Sequence, residues 1–208
     1  MIRPPSLRGV LFGDAADGDA RRDPASRARF EAAAGLPHDW AWMEQVHGAT
    51  VLGATGPGVH GPADGLFTTV PGLALAVGTA DCFPVALIGP GAAGIAHAGW
   101  RGAAAGVVGA LRRAMAAAGA AATVAAIGPG IGPCCFEVGG EVVERFPGHA
   151  ATTTWGTPSV DLRGVILDEL AGVDTWVAAE CTMCSPGYRS HRRDRAPHRQ
   201  VGVAWIPG

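Results

Sequence analysis

Short apolar runs, each bounded by glycine or proline, dominate the pattern of hydrophobic and polar positions along the chain. The segments LALAVG (73–78), FPVALIG (83–89) and AGIAHAG (93–99) match buried β-strands. The segment WAWMEQVHGATVLG (40–53) predicts a strand, a tight turn at Gly48 and a second strand. Later strands are predicted by TVAAIG (123–128), TWVAAE (175–180) and VGVAWI (201–206).

Helices are predicted between these strands, where capping residues bracket alanine-rich or amphipathic segments. Asp23-Pro24 opens a helix that Gly35 closes, and Asp161 caps another that ends before Gly172. Residues 103–119 predict one helix ending at Gly119, residues 140–146 a short helix, and residues 53–65 an ordered surface loop. This irregular interleaving predicts an α/β (α+β) fold: a single-domain sandwich of mixed β-sheets flanked by helices, spanning residues 1–208.

Composition supports a globular chain with a large core. Of the 208 residues, 48% are hydrophobic and 16% are charged, and the net charge of -2 gives no overall field toward nucleic acid or membrane. The beginning of the sequence has no signal-peptide pattern, and no apolar run approaches the length of a membrane span. Five cysteines, an odd number, favour reduced thiols or metal ligands over a disulfide framework. We therefore expect a cytoplasmic protein that binds neither nucleic acid nor membrane.

Three residues at the ends of apolar runs form a candidate metal site. Cys82 follows one predicted strand, and His97 and His47 stand near the ends of two others. Two histidines and a cysteine suit zinc or copper, and three protein ligands leave a fourth position open for water. Spacing alone is weak support, because a single cysteine is usually a small core residue and a single histidine near glycine is usually a turn residue.

Four other cysteines could imitate a zinc site, but the sequence favours a simpler interpretation. Cys134 and Cys135 are adjacent, and the segment CTMC supplies Cys181 and Cys184. Adjacent residues point apart on a strand and would chelate one ion poorly. We therefore expect these to be buried thiols beside a Gly-Pro turn.

Two positions could bind anions. Arg101 follows a glycine-rich turn at a predicted helix start, where free N–H groups attract negative charge. Arg192 and Arg193 lie in YRSHRRDRAPHRQ (188–200) and could grip a phosphate. The alternatives, an ordinary helix start and a solvated run of charge, stay open. Nucleobase-deaminase, hydrolase-elbow, Walker and zincin motifs are missing from the sequence, and seven scattered histidines cannot build a trinuclear copper cluster.

Six motif blocks, read together, resemble a known family. The blocks QVHG, ADG, TADCFPV, HAGWRG, GPGIGPCCFEV and YRSHRRD occur in the family's order, and the resemblance covers about residues 40 to 206. The family was once described as multicopper polyphenol oxidases or laccase-domain proteins; it is now described as purine nucleoside phosphorylases and includes the peptidoglycan editing factor. The resemblance implies a zinc-binding sandwich that phosphorolyses adenosine, inosine, guanosine and methylthioadenosine and deaminates adenosine.

The resemblance also implies roles for individual residues. It places the metal ligands at His47, Cys82 and His97, with zinc as the expected metal and copper as a possible one. Asp81 is then a candidate general base or proton carrier. Arg192 is the candidate phosphate ligand, and Arg101 could assist it.

The sequence departs from the family pattern at both ends. The usual Thr-Arg-x-Gly-Gly and Asn-Leu-Gly blocks have no clear counterpart in residues 10–29, which leaves the role of the N-terminal arginine open. Pro197-His198-Arg199 replaces the usual Thr-Gly-Arg, so His198 either binds substrate or fills space.

Four functions are compatible with the sequence. The leading one is a zinc-dependent purine nucleoside enzyme with nucleosides and phosphate as partners, acting as a monomer or small homo-oligomer. The others are a hydrolase that edits peptidoglycan precursors, a non-catalytic envelope or division protein, and a copper-dependent polyphenol oxidase. The last ranks lowest, because one Cys-His-His site cannot reduce oxygen by four electrons.

Overall fold

The computed structural model describes residues 1–5 and 7–207, and its strands are short, as the sequence predicts. The strands are β1 (Val10–Phe12), β2 (Trp40–Glu44), β3 (Val51–Gly53), β4 (Gly58–Pro62), β5 (Gly65–Thr68), β6 (Ala74–Thr79), β7 (Phe83–Gly89), β8 (Ala92–Ala98), β9 (Val124–Ile127), β10 (Ala150–Thr152), β11 (Pro158–Val160), β12 (Asp174–Val177) and β13 (Gln200–Ala204).

The helices lie between them, and two are capped as their sequences predict. They are α1 (Pro24–Ala34), α2 (Trp100–Ala104), α3 (Val107–Ala117), α4 (Gly140–Val143), α5 (Leu162–Glu169) and α6 (His191–Asp194), with one 3₁₀ turn at Pro147–His149. The Asp23 carboxylate accepts hydrogen bonds from the N–H groups of Ala25 and Ser26 at the start of α1, and Asp161 caps α5 through Gly164.

Two large mixed sheets form the centre of the fold. One has the order β1-β13-β6-β2-β4, and the other has the order β12-β9-β7-β8-β5-β3; β10 and β11 form a separate two-stranded sheet. Both large sheets contain parallel and antiparallel pairs. The predicted sandwich of mixed sheets is thus confirmed.

Successive side chains of each strand point to opposite faces of its sheet. The buried side chains therefore form three separate hydrophobic clusters. Between the two sheets lies a cluster that includes Met43, Leu75 and Ile95. Helices α3 and α5 cover the outer face of the six-stranded sheet, and α1 covers the outer face of the five-stranded sheet through Phe30. The molecule is therefore a four-layered sandwich, helix–sheet–sheet–helix. Among the described residues, we find no helix with the length and apolarity needed to span a bilayer.

Two local expectations were wrong. The helix expected over 103–119 is divided at Gly106, whose φ of 76° lies in the left-handed region, and its first part starts earlier, at Trp100. The loop expected over 53–65 contains β4, which pairs with β2 although its side chains are mostly polar or absent. The strands predicted on either side of Gly48 are present as β2 and β3, which belong to different sheets.

Candidate active site

Three side chains from separate segments converge where the two sheets face one another. Strands β7 and β8 form an antiparallel hairpin in which Pro84 pairs with His97, so Cys82, just before β7, lies beside the end of β8. His47 reaches the same place from the turn that leaves β2 and crosses to the other sheet. The ligand atoms of His47, Cys82 and His97 all lie within 4.8 Å of one another. The predicted strand-end residues are therefore brought together.

The three side chains are closely packed, so a larger residue beside them would not fit. The His47 and His97 rings stand edge to face with centroids 4.8 Å apart. A Cβ atom at Gly99 would lie 2.8 Å from Cys82 Sγ and 3.3 Å from His47 Cδ2. Glycine is thus required next to the three side chains because any larger residue would displace the thiol.

Asp64, just before β5, orients two of the three converging residues, His97 and His47. Its Oδ1 lies 2.8 Å from His97 Nδ1, which leaves Nε2 of the same ring free to face Cys82 and His47. Its Oδ2 accepts hydrogen bonds from the N–H groups of Val46 (3.2 Å) and Gly48 (2.6 Å), on either side of His47. One buried carboxylate therefore fixes both an imidazole and the turn that carries the other.

Cys82 and His97 form a charged pair in the protein without metal. Burial opposes ionisation of Cys82, but the positive charge of His97 and hydrogen bonds from His47 and His97 outweigh it and lower the Cys82 pKa to about 6. Burial likewise opposes protonation of His97, but the Cys82 thiolate and the Asp64 carboxylate raise its pKa to about 9. The thiolate needed for metal binding is thus available at neutral pH.

Backbone strain is concentrated at this site. His47 (φ 61°) and Asp81 (φ 85°) are two of the three non-glycine residues that have positive φ among those described. Such conformations cost of order 1–3 kcal/mol each and persist only where the surroundings enforce them. His47 is one of the three converging residues and Asp81 directly precedes another, Cys82; strain of this kind is typical of functional sites.

The three side chains open into a cleft of ≈ 810 Å³ with a strongly basic lining. Its arginines come from both ends of the chain: Arg21, Arg22, Arg192 and Arg199. Asp19 arranges several of them, because its carboxylate accepts the backbone N–H groups of Arg21, Arg22 and Arg199. Further lining residues are Gln45, Asp81, Phe136 and His191.

Asp81 lines this cleft but is also engaged in holding its wall. Its Oδ1 accepts the Thr182 hydroxyl and its Oδ2 accepts the backbone N–H of Arg192, each at 2.7 Å. The Arg192 guanidinium donates to the Glu137 carbonyl (2.7 Å) and lies over the Phe136 ring. Asp81 therefore determines where Arg192 enters the cleft.

The other predicted anion-binding residues lie outside the lining. Arg101 is exposed, with its guanidinium 4.3 Å from the centroid of the Trp100 ring. His198 stands at the rim, 3.9 Å from the Asp19 carboxylate. Arg193 turns away from the cleft and donates to the carbonyls of Thr182, Met183, Ser185 and Tyr188.

The remaining four cysteines also come together, against our expectation. The sulfur atoms of Cys134, Cys135, Cys181 and Cys184 all lie within 4.8 Å of one another. The expectation was wrong because Cys134 and Cys135 occupy a turn and not a strand, so their side chains do not alternate.

Sequence reasoning missed the residues that support the site. Asp64 was recognised only as part of a motif, and Gln45 was given no role, although it makes two hydrogen bonds of 2.9 Å to the backbone of Gly78. Arg21 and Arg199 also had none. Neither spacing nor composition predicts that residues so far apart in the sequence lie close together in the fold. The sequence offered one indication of a site, which was the presence of these polar residues among glycines.

Comparison with known proteins agrees with the resemblance inferred from the motif blocks. A family model described as multi-copper polyphenol oxidoreductase laccase matches residues 11–207. "Purine nucleoside phosphorylase ORF3" of Streptomyces griseus is 41% identical over 217 residues, covering 97% of this chain and 86% of that protein. A protein of the Mycobacterium tuberculosis strain H37Rv, also named purine nucleoside phosphorylase, is 41% identical over 220 residues, covering 99% of this chain and 88% of that protein.

Solved structures show the same architecture. YlmD from Geobacillus stearothermophilus matches with a TM-score of 0.80 at 30% identity, covering 91% of this chain and 82% of that one. The Bacillus licheniformis hypothetical protein YfiH matches with a TM-score of 0.79 at 27% identity, covering 90% and 82%. Because the family model extends from β1 to beyond β13 and the sequence relatives cover nearly the whole chain, the protein belongs to the multi-copper polyphenol oxidoreductase laccase family.

Proposed function

We propose that the protein is a zinc-dependent purine nucleoside phosphorylase that also deaminates adenosine. The observation that carries the proposal is the opening of the His47–Cys82–His97 group into a cleft lined by four arginines. Such a cleft combines a three-ligand metal site with groups that bind a phosphate anion. The names of the relatives, purine nucleoside phosphorylase, support the phosphorylase part of the proposal. The substrates we propose are adenosine, inosine, guanosine and methylthioadenosine, together with inorganic phosphate.

The donor set fits zinc. One thiolate and two imidazoles are borderline-soft ligands, the sulfur already ionises easily, and Asp64 holds His97 in the tautomer that presents Nε2. When bound there, zinc would act as a Lewis acid and lower the pKa of a water molecule at its open position. The exposure of His47 toward the cleft leaves space for substrate at that position.

In phosphorolysis, a phosphate oxygen forms a bond to C1′ of the ribose while the C1′–N9 bond breaks. The electron pair passes to the purine, which takes up a proton as it leaves. We assign the positioning of the phosphate to Arg192, whose guanidinium is held over Phe136, with Arg21, Arg22 and Arg199 adding positive charge. Arg101 and His198 could act only from outside the lining of this cleft.

We assign proton transfer to Asp81, which lines the cleft beside Cys82. Each oxygen of its carboxylate already accepts one hydrogen bond and retains further acceptor capacity. The same carboxylate positions Arg192, so loss of Asp81 would affect both the proton and the phosphate. Asp81→Asn should therefore reduce phosphorolysis more than deamination, which needs no phosphate.

A copper oxidase is a weaker proposal, despite the description of the family. In residues 1–5 and 7–207, two side-chain groups could hold a metal: the His47–Cys82–His97 group and the four cysteines. Neither supplies the histidines of a trinuclear copper cluster.

The experiment that tests the proposal is a product assay on protein with its metal content measured. Adenosine is incubated with and without phosphate, and adenine, inosine and hypoxanthine are separated by chromatography. Adenine formed only with phosphate supports phosphorolysis, and inosine formed without phosphate supports deamination. Full zinc occupancy without turnover would refute the proposal and favour precursor editing, tested by serine release from a nucleotide-linked muramoyl precursor, or a non-catalytic role.

The matched variants are Arg192→Ala and Arg145→Ala, because Arg145 is an exposed arginine outside the cleft. Loss of the Arg192 guanidinium should lower kcat/KM for phosphate on the order of 100-fold and leave adenosine deamination nearly unchanged. Arg145→Ala should behave as the parent protein. Equal losses of both activities in Arg192→Ala would contradict a role specific to phosphate.

A further inference from the structure

We infer that Cys134, Cys135, Cys181 and Cys184 form a second metal site, a structural zinc site with four thiolate ligands. It is separate from the His47–Cys82–His97 group and does not rest on the proposed function. The Sγ atoms of Cys135 and Cys184 are 3.1 Å apart, those of Cys134 and Cys184 are 3.6 Å apart, and all four lie within 4.8 Å. A tetrahedral zinc with bonds of ~2.3 Å needs sulfur atoms ~3.8 Å apart. The two shortest separations, 3.1 and 3.6 Å, lie below this value and none exceeds 4.8 Å, so small side-chain rotations complete the tetrahedron.

The backbone holds the two cysteine pairs in place independently of any ion. Gly130 pairs with Cys181 in a parallel bridge, and the Thr182 N–H donates to the Gly130 carbonyl at 3.0 Å. On the other segment, the N–H groups of Cys135 and Phe136 both donate to the Gly132 carbonyl at 3.0 Å. This turn directs two consecutive cysteine side chains toward the same point.

Backbone N–H groups lower the pKa of Cys181, whereas burial raises the pKa of Cys134 to about 11 and raises that of Cys135 as well, so we expect these two thiols to lose their protons when an ion binds. The Gly132 N–H donates to Cys181 Sγ at 3.2 Å. The Arg193 guanidinium is fixed on the turn of Cys181–Cys184 by the carbonyls of Thr182, Met183 and Ser185. A zinc ion with four thiolates carries a net charge of about −2, and this neighbouring cation offsets part of it.

The site has the features of a structural centre. Four protein ligands fill the tetrahedron and leave no position for a substrate. Cys184 is exposed and Cys135 is buried, so an ion can enter from solvent and be held against the core. Binding converts four thiols to four thiolates and releases their protons to water, without an oxidant or reductant.

The two segments joined in this way form one wall of the cleft. Phe136 follows Cys135 directly and lines the cleft, while Thr182 follows Cys181 and donates to Asp81. Zinc at the four cysteines would therefore hold together the loops that position Asp81 and Arg192.

The test begins with metal analysis of protein purified under reducing, oxygen-free conditions. We expect one zinc ion per chain that is lost in Cys134→Ser/Cys184→Ser and retained in His47→Ala; zinc at the His47–Cys82–His97 group would add a second ion to the parent protein and to the double variant, and His47→Ala would remove that ion. Cobalt(II) in place of zinc should give the intense charge-transfer bands of a four-thiolate site in His47→Ala and lose them in the double variant. One zinc per chain that disappears entirely in His47→Ala would overturn the inference.

A second measurement uses the parent protein, so it does not depend on the folding of a variant. Native protein is alkylated before and after treatment with a zinc chelator, and the modified cysteines are located by peptide mass spectrometry. We expect the four cysteines to be protected together and to become reactive together as one zinc ion is released. Reaction at equal rates with and without chelator, or a Cys135–Cys184 disulfide in freshly reduced protein, would show that the thiols do not hold zinc.

Discussion

Asp64 is the residue on which the geometry of the proposed zinc site depends most. It is fully buried, and it contacts the His97 ring and the turn on both sides of His47. An amide in its place keeps the shape of the side chain but loses the negative charge and one acceptor atom.

We therefore expect Asp64→Asn to weaken zinc binding about 10- to 100-fold, the usual effect of losing a carboxylate behind a histidine ligand. The measurement is competition with a chelator of known affinity. Asp39→Asn, at an exposed aspartate, is the control and should bind zinc as the parent does. Unchanged affinity in Asp64→Asn would mean that the backbone alone holds the two imidazoles.

The ionisation of Cys82 gives a prediction about pH. In metal-free protein the thiolate should form near pH 6, not near the ordinary value of 9.0, because the protonated His97 stabilises it. Because folding lowers the Cys82 pKa from 9.0 to about 6, ionisation of Cys82 stabilises the folded protein fully above pH 9.0. This stabilisation is lost as the pH falls through about 6. The raised pKa of His97 acts in the opposite direction: its contribution is present below 6.5 and is lost as pH rises through about 9.

The measurement is the ultraviolet absorbance of thiolate in the parent minus that in Cys82→Ser, followed from acid to alkaline pH. The difference should rise near pH 6, and replacing His97 with glutamine should move the rise to higher pH. A difference spectrum that appears only near pH 9 would disprove the charged pair.

At the scale of elements, Gly106 separates two helices that the sequence presents as one. Its φ of 76° is accessible to glycine at little cost, and a Cβ atom there would meet no atom within 4 Å. The penalty for alanine is therefore conformational only. We expect Gly106→Ala to reduce the free energy of unfolding by about 1–2 kcal/mol, measured by urea denaturation.

Gly140→Ala is the control, since Gly140 also meets no atom within 4 Å but lies in α4 without positive φ. This variant should be neutral or slightly stabilising because alanine favours a helix. If both variants were equally stable, the break between α2 and α3 would be set by packing and not by the backbone of Gly106.

Local sequence patterns predicted the elements whose burial is continuous. Strands β6, β7 and β8 are almost entirely apolar runs between turn residues, and Asp23 and Asp161 are strong helix caps. Strand β4 was missed because its glycines and histidine carry no hydrophobic signal, and pairing with β2 overrides that weak propensity. The divided helix was missed because glycine within an alanine-rich segment is compatible with either outcome.

The residues of the candidate site were likewise predicted only where the sequence itself carries a recognisable pattern. His47, Cys82 and His97 were identified because the motif blocks resemble those of a family, while their spacing alone was ambiguous. The roles of Asp64 and of the four-cysteine cluster depend on which chain segments meet, and this is decided by tertiary pairing such as the bridge of Gly130 with Cys181. No local pattern contains that information.

At the scale of the whole molecule, the proposed zinc site joins the two sheets. His47 lies in the connection that follows β2 of the five-stranded sheet, whereas Cys82 lies just before β7 and His97 lies in β8 of the six-stranded sheet. Zinc that binds only the folded protein should raise its unfolding temperature, with a stabilisation of ~2.7 kcal/mol at a zinc concentration 100 times the Kd.

The measurement is a series of thermal unfolding curves of metal-free protein with increasing zinc. Cys82→Ser should lose the part of the stabilisation due to this site, while Cys134→Ser/Cys184→Ser should keep it. Identical curves for Cys82→Ser and the parent would contradict a zinc link between the sheets.

Strand β1 pairs with β13, and the Asp19 carboxylate accepts a hydrogen bond from the Arg199 N–H. The cleft is therefore built from segments that are synthesised at different times. Arg21 and Arg22 are synthesised early, and Arg192 and Arg199 late, yet all four line one cleft. A nascent chain that has emerged only through β8 already contains His47, Cys82 and His97. The basic wall remains incomplete until β13 leaves the ribosome and pairs with β1. Translation thus separates the two halves of the site in time, and a prematurely terminated chain would retain the metal-binding side chains without the arginines of the later segment.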